Sequence, residues 1–388
     1  MRCHDGKSVP WWRLALCLVF CSLLSACSKA QPPDTASAGG KAGAGTPQSA
    51  PLEGPNLALR LKVGDKFPLQ KTVVTTLVQP GPNGQERSTA RKEFLLTITV
   101  EAMPVDGPHA GQKQMGVKFH TVRFSRELNG ETLEFDSRTA QEPIPQVVRP
   151  YHGLVGNSFS FWLGQDNQVE GIVDFDKFVK RCLKGVPQER FEEVWNNLAM
   201  QTGADGIASF VDDSIGLLPK SRVVVGDSWM VTRRSQQPIA MVCKSRYTLQ
   251  HMDGQQAEVS ILGEILPSAI LLDSVPGAVQ KNLSMSVRGG QATGSCTIDL
   301  RTGLPIHSQV EQFVDMHVKL QSGAEFVQHK QTITTIRAFP AMPPASDDDG
   351  PLAANEFIDT RPRQGGAGVD DDGNDTRIAQ PPRRLPQR

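Results

Sequence analysis

The chain has 388 residues, equal numbers of basic and acidic side chains (41 each) and 38% hydrophobic residues. This hydrophobic content is sufficient for one large or two ordinary folded domains, and it argues against a chain that is disordered throughout. Outside residues 1–26 the chain carries 38 basic and 40 acidic residues. It therefore has no positive surplus with which to bind nucleic acid or an anionic membrane surface.

The first 26 residues have the pattern of a secretory signal peptide. Three basic residues precede a short apolar stretch, residues 14–24, and the small residues Ser25 and Ala26 follow it. The stretch is too short to cross a bilayer of about 30 Å comfortably. We therefore expect cleavage between Ala26 and Cys27 rather than an uncleaved anchor helix.

The segment Leu24-Ser25-Ala26-Cys27 resembles the lipobox of bacterial lipoproteins, in which an aliphatic residue and small residues precede a cysteine. The resemblance implies that the Cys27 thiol is alkylated by diacylglycerol and that the new amino terminus is acylated, for example by palmitate. Two or three acyl chains hold a protein on a membrane stably, whereas one holds it marginally. By resemblance to the enterobacterial sorting rule, Ser28 favours the outer membrane, facing the periplasm, over the inner membrane.

Flexible segments are predicted at both ends of the mature chain. Residues 27–56 are rich in Gly, Ala, Ser and Pro and contain almost no large apolar residues, which is typical of a linker. Residues 340–388 contain two runs of three aspartates and few large apolar residues, which is typical of a disordered tail. The folded domain is therefore predicted to span residues 57–339.

Hydrophobic residues alternate with polar ones through much of residues 57–339, a period that is typical of antiparallel β-strands. The clearest examples are residues 94–100 and a hairpin of residues 306–320 and 326–336. Further strands are predicted at residues 72–78, 116–124, 158–163, 242–250, 257–262 and 295–300. The predicted fold is mainly β, with antiparallel curved sheets or an open barrel in two similar portions.

A short helical insertion is predicted between the two β portions, at residues 174–217. Asp174 is expected to cap a helix that ends at Gly185. Pro187 is expected to begin a second helix, and residues 205–215 to form a shorter third one. The two predicted β portions are residues 57–173 and 218–339.

The two portions begin with similar short motifs. Val63-Gly64-Asp65-Lys66-Phe67 opens the first portion and Val225-Gly226-Asp227-Ser228-Trp229 opens the second. In each motif a Gly-Asp turn precedes an aromatic residue that is expected to pack inward. The likeness has two interpretations, a duplicated β unit or two unrelated strands that use a common turn.

Three segments of the folded region carry recognisable landmarks, LRLKVGDKF at residues 59–67, LPKSRVVVGDSW at residues 218–229 and GSCTIDLRTG at residues 294–303. They resemble an uncharacterised family of bacterial lipoproteins that carries a domain of unknown function. The resemblance covers most of the folded region. It implies a β-rich fold and no particular activity.

Three of the seven cysteines leave with the signal peptide and Cys27 is assigned to lipid, which leaves Cys182, Cys243 and Cys296. Cys243 and Cys296 lie on predicted strands of the second portion and could form a disulfide in an oxidising compartment. The alternative is that all three are buried thiols that act as small hydrophobic residues. Cys182 lies on the apolar face of a predicted helix, where a catalytic role is not expected.

A zinc site is conceivable at His307, His317 and His329 with Asp315, because two of these histidines share a strand face and the third lies across the predicted hairpin. Zinc needs three or four converging ligands, and no closely spaced His or Cys pair anchors this set. Solvent-facing histidines are therefore favoured, and no metal site is predicted.

Two groups of carboxylates also lack a diagnostic pattern. Residues 370–375 have carboxylates at alternate positions, but the glycine and the late glutamate of a calcium loop are missing. Glu131, Glu134 and Asp136 could supply the acid pair of a glycosidase, as many surface strands could. The sequence therefore predicts no cofactor and no catalytic residue.

The expected function is that of a membrane-anchored cell-envelope lipoprotein without enzymatic activity, which binds a partner or contributes to envelope structure. The motifs of serine hydrolases, zinc proteases and nucleotide-binding loops are absent from the sequence. Competing hypotheses are a carrier of an apolar, lipid-like ligand, an envelope hydrolase with an unfamiliar site, and an assembly factor that grips a protein partner through a strand edge.

Overall fold

The structure, a computed structural model, describes residues 57–81, 84–128, 130–145, 148–165, 167–187, 217–219, 221–235, 241–270, 283–320 and 322–339. Several predictions concern residues outside this set: the signal peptide, Cys27, the linker, the helices after Pro187 and the tail with residues 370–375. The predicted mainly β, antiparallel fold is confirmed for the described residues. No helix among the described residues is long and apolar enough to cross a bilayer.

The strands and helices follow one another along the chain with the helices in the first half. The first half contains β1 Lys66–Gly81, β2 Gly84–Ala102, β3 Lys113–Leu128, β4 Glu131–Asp136, α1 Arg149–Leu154, β5 Ser158–Leu163, β6 Val169–Val173 and α2 Phe175–Cys182. The second half contains β7 Ser228–Ser235, β8 Met241–Met252, β9 Gln256–Leu266, β10 Ser268–Ile270, β11 Leu283–Asp299, β12 Pro305–Leu320 and β13 Glu325–Ala338.

The 13 described strands belong to one sheet with the order β6-β5-β3-β2-β1-β13-β12-β11-β9-β8-β7, to which β4 is added beside β3 and β10 beside β11. All of the pairings are antiparallel. The first strand pairs with the last, from Leu69 opposite Ala338 to Val78 opposite His329. This pairing joins the two portions in the middle of the sheet.

The two portions have the same strand order and direction. In the first portion the neighbouring strands are β1-β2-β3-β5-β6, and in the second portion they are β7-β8-β9-β11-β12. Each portion therefore contributes its first, second, third, fifth and sixth strands in that order. Since neighbouring strands are antiparallel, corresponding strands run in the same direction. The two portions thus follow each other along the sheet as tandem units, and β13 lies between them.

The turns that open the two units have nearly identical geometry. Gly64 and Gly226 have φ angles of 92° and 95°, and their N–H groups donate to the carbonyls of Val100 and Leu249, both at 2.8 Å. The carboxylate that follows each glycine accepts a bond from the N–H three residues before it, at 2.7 Å in the first turn and 2.8 Å in the second. This shared geometry favours a duplicated unit over an unrelated pair of turns.

One face of the sheet, called the inner face below, carries most of the buried side chains. On β1 it consists of the odd-numbered residues from Phe67 to Gln79, and on β13 of the even-numbered residues from Phe326 to Ala338. Helices α1 and α2 cover part of this face. The ring of Phe178 on α2 meets that of Phe159 on β5 edge-on at 5.2 Å between centroids.

Two large hydrophobic clusters on the inner face are bridged by the segment that precedes β1. Leu61 packs in the cluster of the first unit, Leu57 packs in that of the second, and Leu59 contacts both. Arg60 in this segment donates its N–H to the carbonyl of Thr302 in the β11–β12 turn at 2.9 Å. The residues before β1 are therefore an integral part of the domain.

The predicted cap of the first helix is wrong in its detail. Helix α2 begins at Phe175 as expected, but Asp174 has a left-handed φ of 51° and its side chain makes no capping bond to the helix. Its carboxylate instead accepts from the ammonium of Lys177 at 3.1 Å. The left-handed backbone turns the carboxylate away from the amides of the first helical turn.

Candidate functional site

An apolar cavity of about 720 Å³ lies on the inner face, beside the segment that precedes β1. Its walls include Phe67 and Leu69 of β1, Ile98 of β2, and Ile336 and Phe339 at the end of β13. Cavities of about 300–1,000 Å³ with mostly apolar walls are typical of small-molecule sites. The cavity is thus large enough for an apolar ligand of ordinary size.

The sheet curls around this cavity. Ile98 on β2 and Gln255, between β8 and β9, line the same space, although β2 and β9 are five strand positions apart in the sheet. A flat sheet would separate them by about 24 Å, since adjacent strands lie about 4.8 Å apart. The predicted curvature is what brings the two units to one cavity.

The polar part of the cavity wall is built by the β11–β12 turn. Asp299 accepts bonds from the N–H of Arg301 and the hydroxyl of Thr302, both at 3.0 Å. Arg60 and Arg301 line the cavity and are exposed to solvent. Since the inward-facing strand residues are apolar, the charges lie at the rim of the cavity.

A second feature of the inner face is a set of four buried cationic side chains on β1, β2, β3 and β13, called the basic patch below. Its members are Lys71, Lys92, Arg126 and Lys330, whose exposed fractions are 3%, 7%, 8% and 7%. Lysine and arginine are almost never buried to this degree unless they are paired. Lys71 follows Leu69 of the cavity wall by two residues on the same face, so the patch adjoins the cavity.

Lys92 and Arg126 are diagonal neighbours within the basic patch. Lys92 lies opposite Phe124 and Arg126 lies opposite Ala90 in the β2–β3 register, which places their Cβ atoms about 7–8 Å apart. The ammonium of Lys92 is 5.3 Å from the ring centroid of Tyr151 on α1. That ring in turn stacks on Phe124 at 5.1 Å. Helix α1 therefore covers this part of the patch with an aromatic ring.

The basic patch was not predicted, although a signal for it exists in the sequence. Lys92 lies two residues before Phe94, and Arg126 two residues after Phe124, so both continue the phase of the buried residues. A strand of period two keeps these cations on the apolar face. The prediction ended each strand where the apolar residues ended, which left both cations outside it.

The possible disulfide between Cys243 and Cys296 is not formed. Neither cysteine is in a disulfide, and they lie opposite Ile265 and Val259 of β9, on strands to either side of it. Six residues along β9 correspond to about 20 Å, whereas a disulfide needs Cα atoms within about 7 Å. Burial raises the pKa of Cys182 and of Cys296 to about 12, which makes both thiols poor nucleophiles.

Two of the histidines considered for zinc make separate contacts with carboxylates. Nδ1 of His329 lies 2.7 Å from a carboxylate oxygen of Asp315 across the β12–β13 hairpin, and Nε2 of His317 lies 3.3 Å from Glu325. His307 faces Arg337 in the same register. In the part of the chain that the structure describes, no group of three His, Cys, Asp or Glu residues could hold a metal ion.

The three carboxylates considered for glycoside chemistry lie on β4 without a shared cleft. Glu131 and Glu134 are exposed, and Asp136 is bound by Arg123 at 2.9 Å and by Arg138 at 2.8 Å. Asp136 therefore belongs to a surface ion-pair network with Arg123 and Arg138.

Comparison with solved structures gives distant likenesses. A lipovitellin structure described as showing lipid–protein interactions matches with 13% identity and a TM-score of 0.38; the match covers 74% of this chain and 26% of that chain. This chain thus spans about a quarter of the lipovitellin chain. An outer membrane channel from Pseudomonas putida F1 matches with 8% identity and a TM-score of 0.21, over 75% of this chain and 100% of the channel.

The beta domain of a Bordetella autotransporter matches with 9% identity and a TM-score of 0.19, over 71% of this chain and 99% of that domain. Scores at this level identify no function.

No curated protein sequence matches the chain. One family model does match, over residues 110–305, which is half of the chain and includes strands of both tandem units. The protein belongs to this family, DUF6263, a family of unknown function.

Proposed function

We propose that this protein is a lipid-anchored envelope lipoprotein whose β domain binds an apolar ligand without changing it chemically. The observation that carries the proposal is the apolar cavity of about 720 Å³ between the two tandem units. The walls supply hydrophobic contacts, and the charges lie at the rim, where an entering ligand leaves water. Burying apolar ligand surface is favourable by about 25 cal/mol per Å².

The segment at residues 24–27, which resembles a lipobox, supports the proposed location. A lipid anchor with a linker of about thirty residues would hold a binding domain close to the membrane while letting it move. Such an arrangement suits a protein that exchanges apolar molecules with a bilayer.

Replacing Cys27 with serine should abolish lipid attachment. The modification uses the cysteine thiol, and a serine hydroxyl is a much weaker nucleophile. We expect radiolabelled palmitate to enter the wild-type protein and not Cys27→Ser, with Cys243→Ser as the matched control that keeps its label. Equal labelling of Cys27→Ser and wild type would contradict the proposed anchor.

Filling the cavity should block ligand binding. Ala338 lines the cavity beside Leu69, and a tryptophan at this position would occupy part of its volume. We expect the neutral fluorescent probe N-phenyl-1-naphthylamine to bind wild type at a saturable site and Ala338→Trp at least about tenfold more weakly, a loss of about 1.4 kcal/mol.

The matched control for this titration is Arg337→Trp, which adds the same ring at an exposed position one residue earlier on the strand. Its affinity for the probe should equal that of wild type. Absence of saturable binding to wild type, or equal binding by wild type and Ala338→Trp, would overturn the proposed ligand site.

A further inference from the structure

Arg126 has a buried guanidinium group on the inner face with unsatisfied hydrogen-bond donors. Its side chain is 8% exposed, and its Nε and Nη2 atoms are buried with no hydrogen-bond partner. Its neighbours in the strand register are the apolar residues Ala90 and Leu133. A buried guanidinium with unused donors is costly for a folded protein, which suggests that a ligand normally satisfies them.

The buried charges on the described strands around Arg126 are all positive. Lys92 is its diagonal neighbour, and Lys71 and Lys330 belong to the same face. On the inner face of β1, β2, β3 and β13, the acidic side chain present is Glu86, which lies four residues from Ala90 along β2, or about 13 Å. Glu131 of β4 is a second diagonal neighbour of Arg126, because it lies opposite Leu128, but its side chain is exposed to solvent. The described strands thus bring two buried cations together without a buried carboxylate beside them.

Neighbouring polar groups can complete an anion site. Thr75 on β1 lies opposite Ala90, and Ser88 lies two residues before Ala90 on β2. Their side chains are 5% and 7% exposed. A guanidinium fork, an ammonium and hydroxyl donors are the groups that bind carboxylate or phosphate oxygens. The basic patch adjoins the apolar cavity at Leu69 and Lys71, and Lys92 lies six residues along β2 from Ile98 of the cavity wall, or about 20 Å. A ligand that satisfies both sites would therefore be a long-chain amphiphile with an anionic head.

We propose that Arg126 and Lys92 form a buried oxyanion site that binds the carboxylate or phosphate head of an amphiphilic ligand whose apolar part lies on the inner face. This inference rests on the proposed function, because it names the chemical class of the ligand. The two N–H groups of Arg126 donate to the oxyanion, and Lys92 adds a second positive charge.

The test compares 11-(dansylamino)undecanoate with its methyl ester, which has the same body but no charge. Wild type should bind the carboxylate about 10- to 100-fold more tightly than the ester, as expected for hydrogen bonds to a charged group. Arg126→Gln should lose this preference while its affinity for the ester stays unchanged. Arg126→Lys should keep part of the preference, and Lys118→Gln, at an exposed position on β3, should keep all of it.

Thermal stability gives an independent readout. Without ligand, Arg126→Gln should melt at the same temperature as wild type or higher, because an unsatisfied buried charge has been removed. Inorganic phosphate that raises the melting temperature of wild type, but not of Arg126→Gln, would support the oxyanion site with a free anion as the source. Displacement of the carboxylate probe by a phospholipid and not by phosphate would support the lipid head.

Two results would overturn the inference. One is equal binding of carboxylate and ester by wild type with no phosphate effect, which would leave the apolar site of the proposed function intact. The other is a lower melting temperature of Arg126→Gln with an unchanged preference for the carboxylate probe. This result would show that Arg126 forms a stabilising ion pair with a carboxylate of the protein itself. If neither probe binds, the proposed function fails, and the phosphate measurement decides the oxyanion site alone.

Discussion

Gly153→Ala should destabilise the domain by at least about 2 kcal/mol, although alanine is the better helix former. Gly153 lies in α1 where this helix meets α2, and a Cβ atom there would be 1.8 Å from the carbonyl oxygen of Cys182. The obstacle is backbone, so the two helices would have to move apart. Leu154, Phe178 and Val179 would then lose contacts on the inner face.

The melting temperature of Gly153→Ala should fall by roughly 5 °C or more, measured by calorimetry or circular dichroism. Gly171→Ala on β6 is the matched control, because a Cβ atom there meets no atom within 4 Å. Its stability should stay within about 0.5 kcal/mol of wild type or rise slightly. Equal stabilities of Gly153→Ala and Gly171→Ala would show that α1 and α2 do not pack as described.

Gly303→Ala should both destabilise the domain and weaken ligand binding. Gly303 has a φ of 76°, and a Cβ atom would be 2.3 Å from the carbonyl oxygen of Ala58. Left-handed backbone costs an alanine about 1–2 kcal/mol, and displacement of the segment before β1 adds about 1–3 kcal/mol. The displaced segment carries Arg60 of the cavity wall, and Leu57 and Leu61 bridge the hydrophobic clusters.

Gly323→Ala separates these two contributions. Gly323 has a similar φ of 83°, but a Cβ atom there meets nothing within 4 Å. This control should show the backbone strain alone, with unchanged affinity for N-phenyl-1-naphthylamine, whereas Gly303→Ala should lose further stability and bind the probe more weakly. If chemical denaturation gave equal free energies of unfolding for the two variants, the segment before β1 would not be seated on the β11–β12 turn.

The strands were predictable where one face is apolar and the other polar. β5 was predicted at residues 158–163 and has those bounds, and residues 94–100 lie within β2 with Leu96 and Ile98 buried. A half-buried antiparallel strand repeats every two residues, so the local sequence carries the full signal. The motifs at Gly64 and Gly226 likewise predicted two similar turns from a few residues.

Two elements had no such signal. Helix α1 is only six residues long, RPYHGL, and contains a glycine, which disfavours a helix. It is supported by the stacking of Tyr151 on Phe124. β4 has two apolar residues, Leu133 and Phe135, among charged and polar ones. Both elements depend on contacts with β3, which a local pattern does not contain.

The candidate site could not be predicted from the sequence, for a different reason. The cavity joins Ile98 of the second strand to Gln255, between the eighth and ninth strands, and the order of strands in a sheet is decided by long-range pairing. The burial of Lys92 and Arg126 follows from the helix and the curled sheet that cover them. From the sequence alone, a cation in an alternating strand is predicted to be exposed to solvent, because the sequence does not show which elements cover it.

An apolar ligand in the cavity can be observed directly by native mass spectrometry of the protein purified without detergent from its own host's envelope. Residues 1–27 would be replaced by a cleavable leader, so that the chain is exported without lipid on Cys27. We expect wild type to carry an added mass that is released on collisional activation, and Ala338→Trp to lack it. A bare polypeptide mass for wild type would contradict the proposed binding of an apolar ligand.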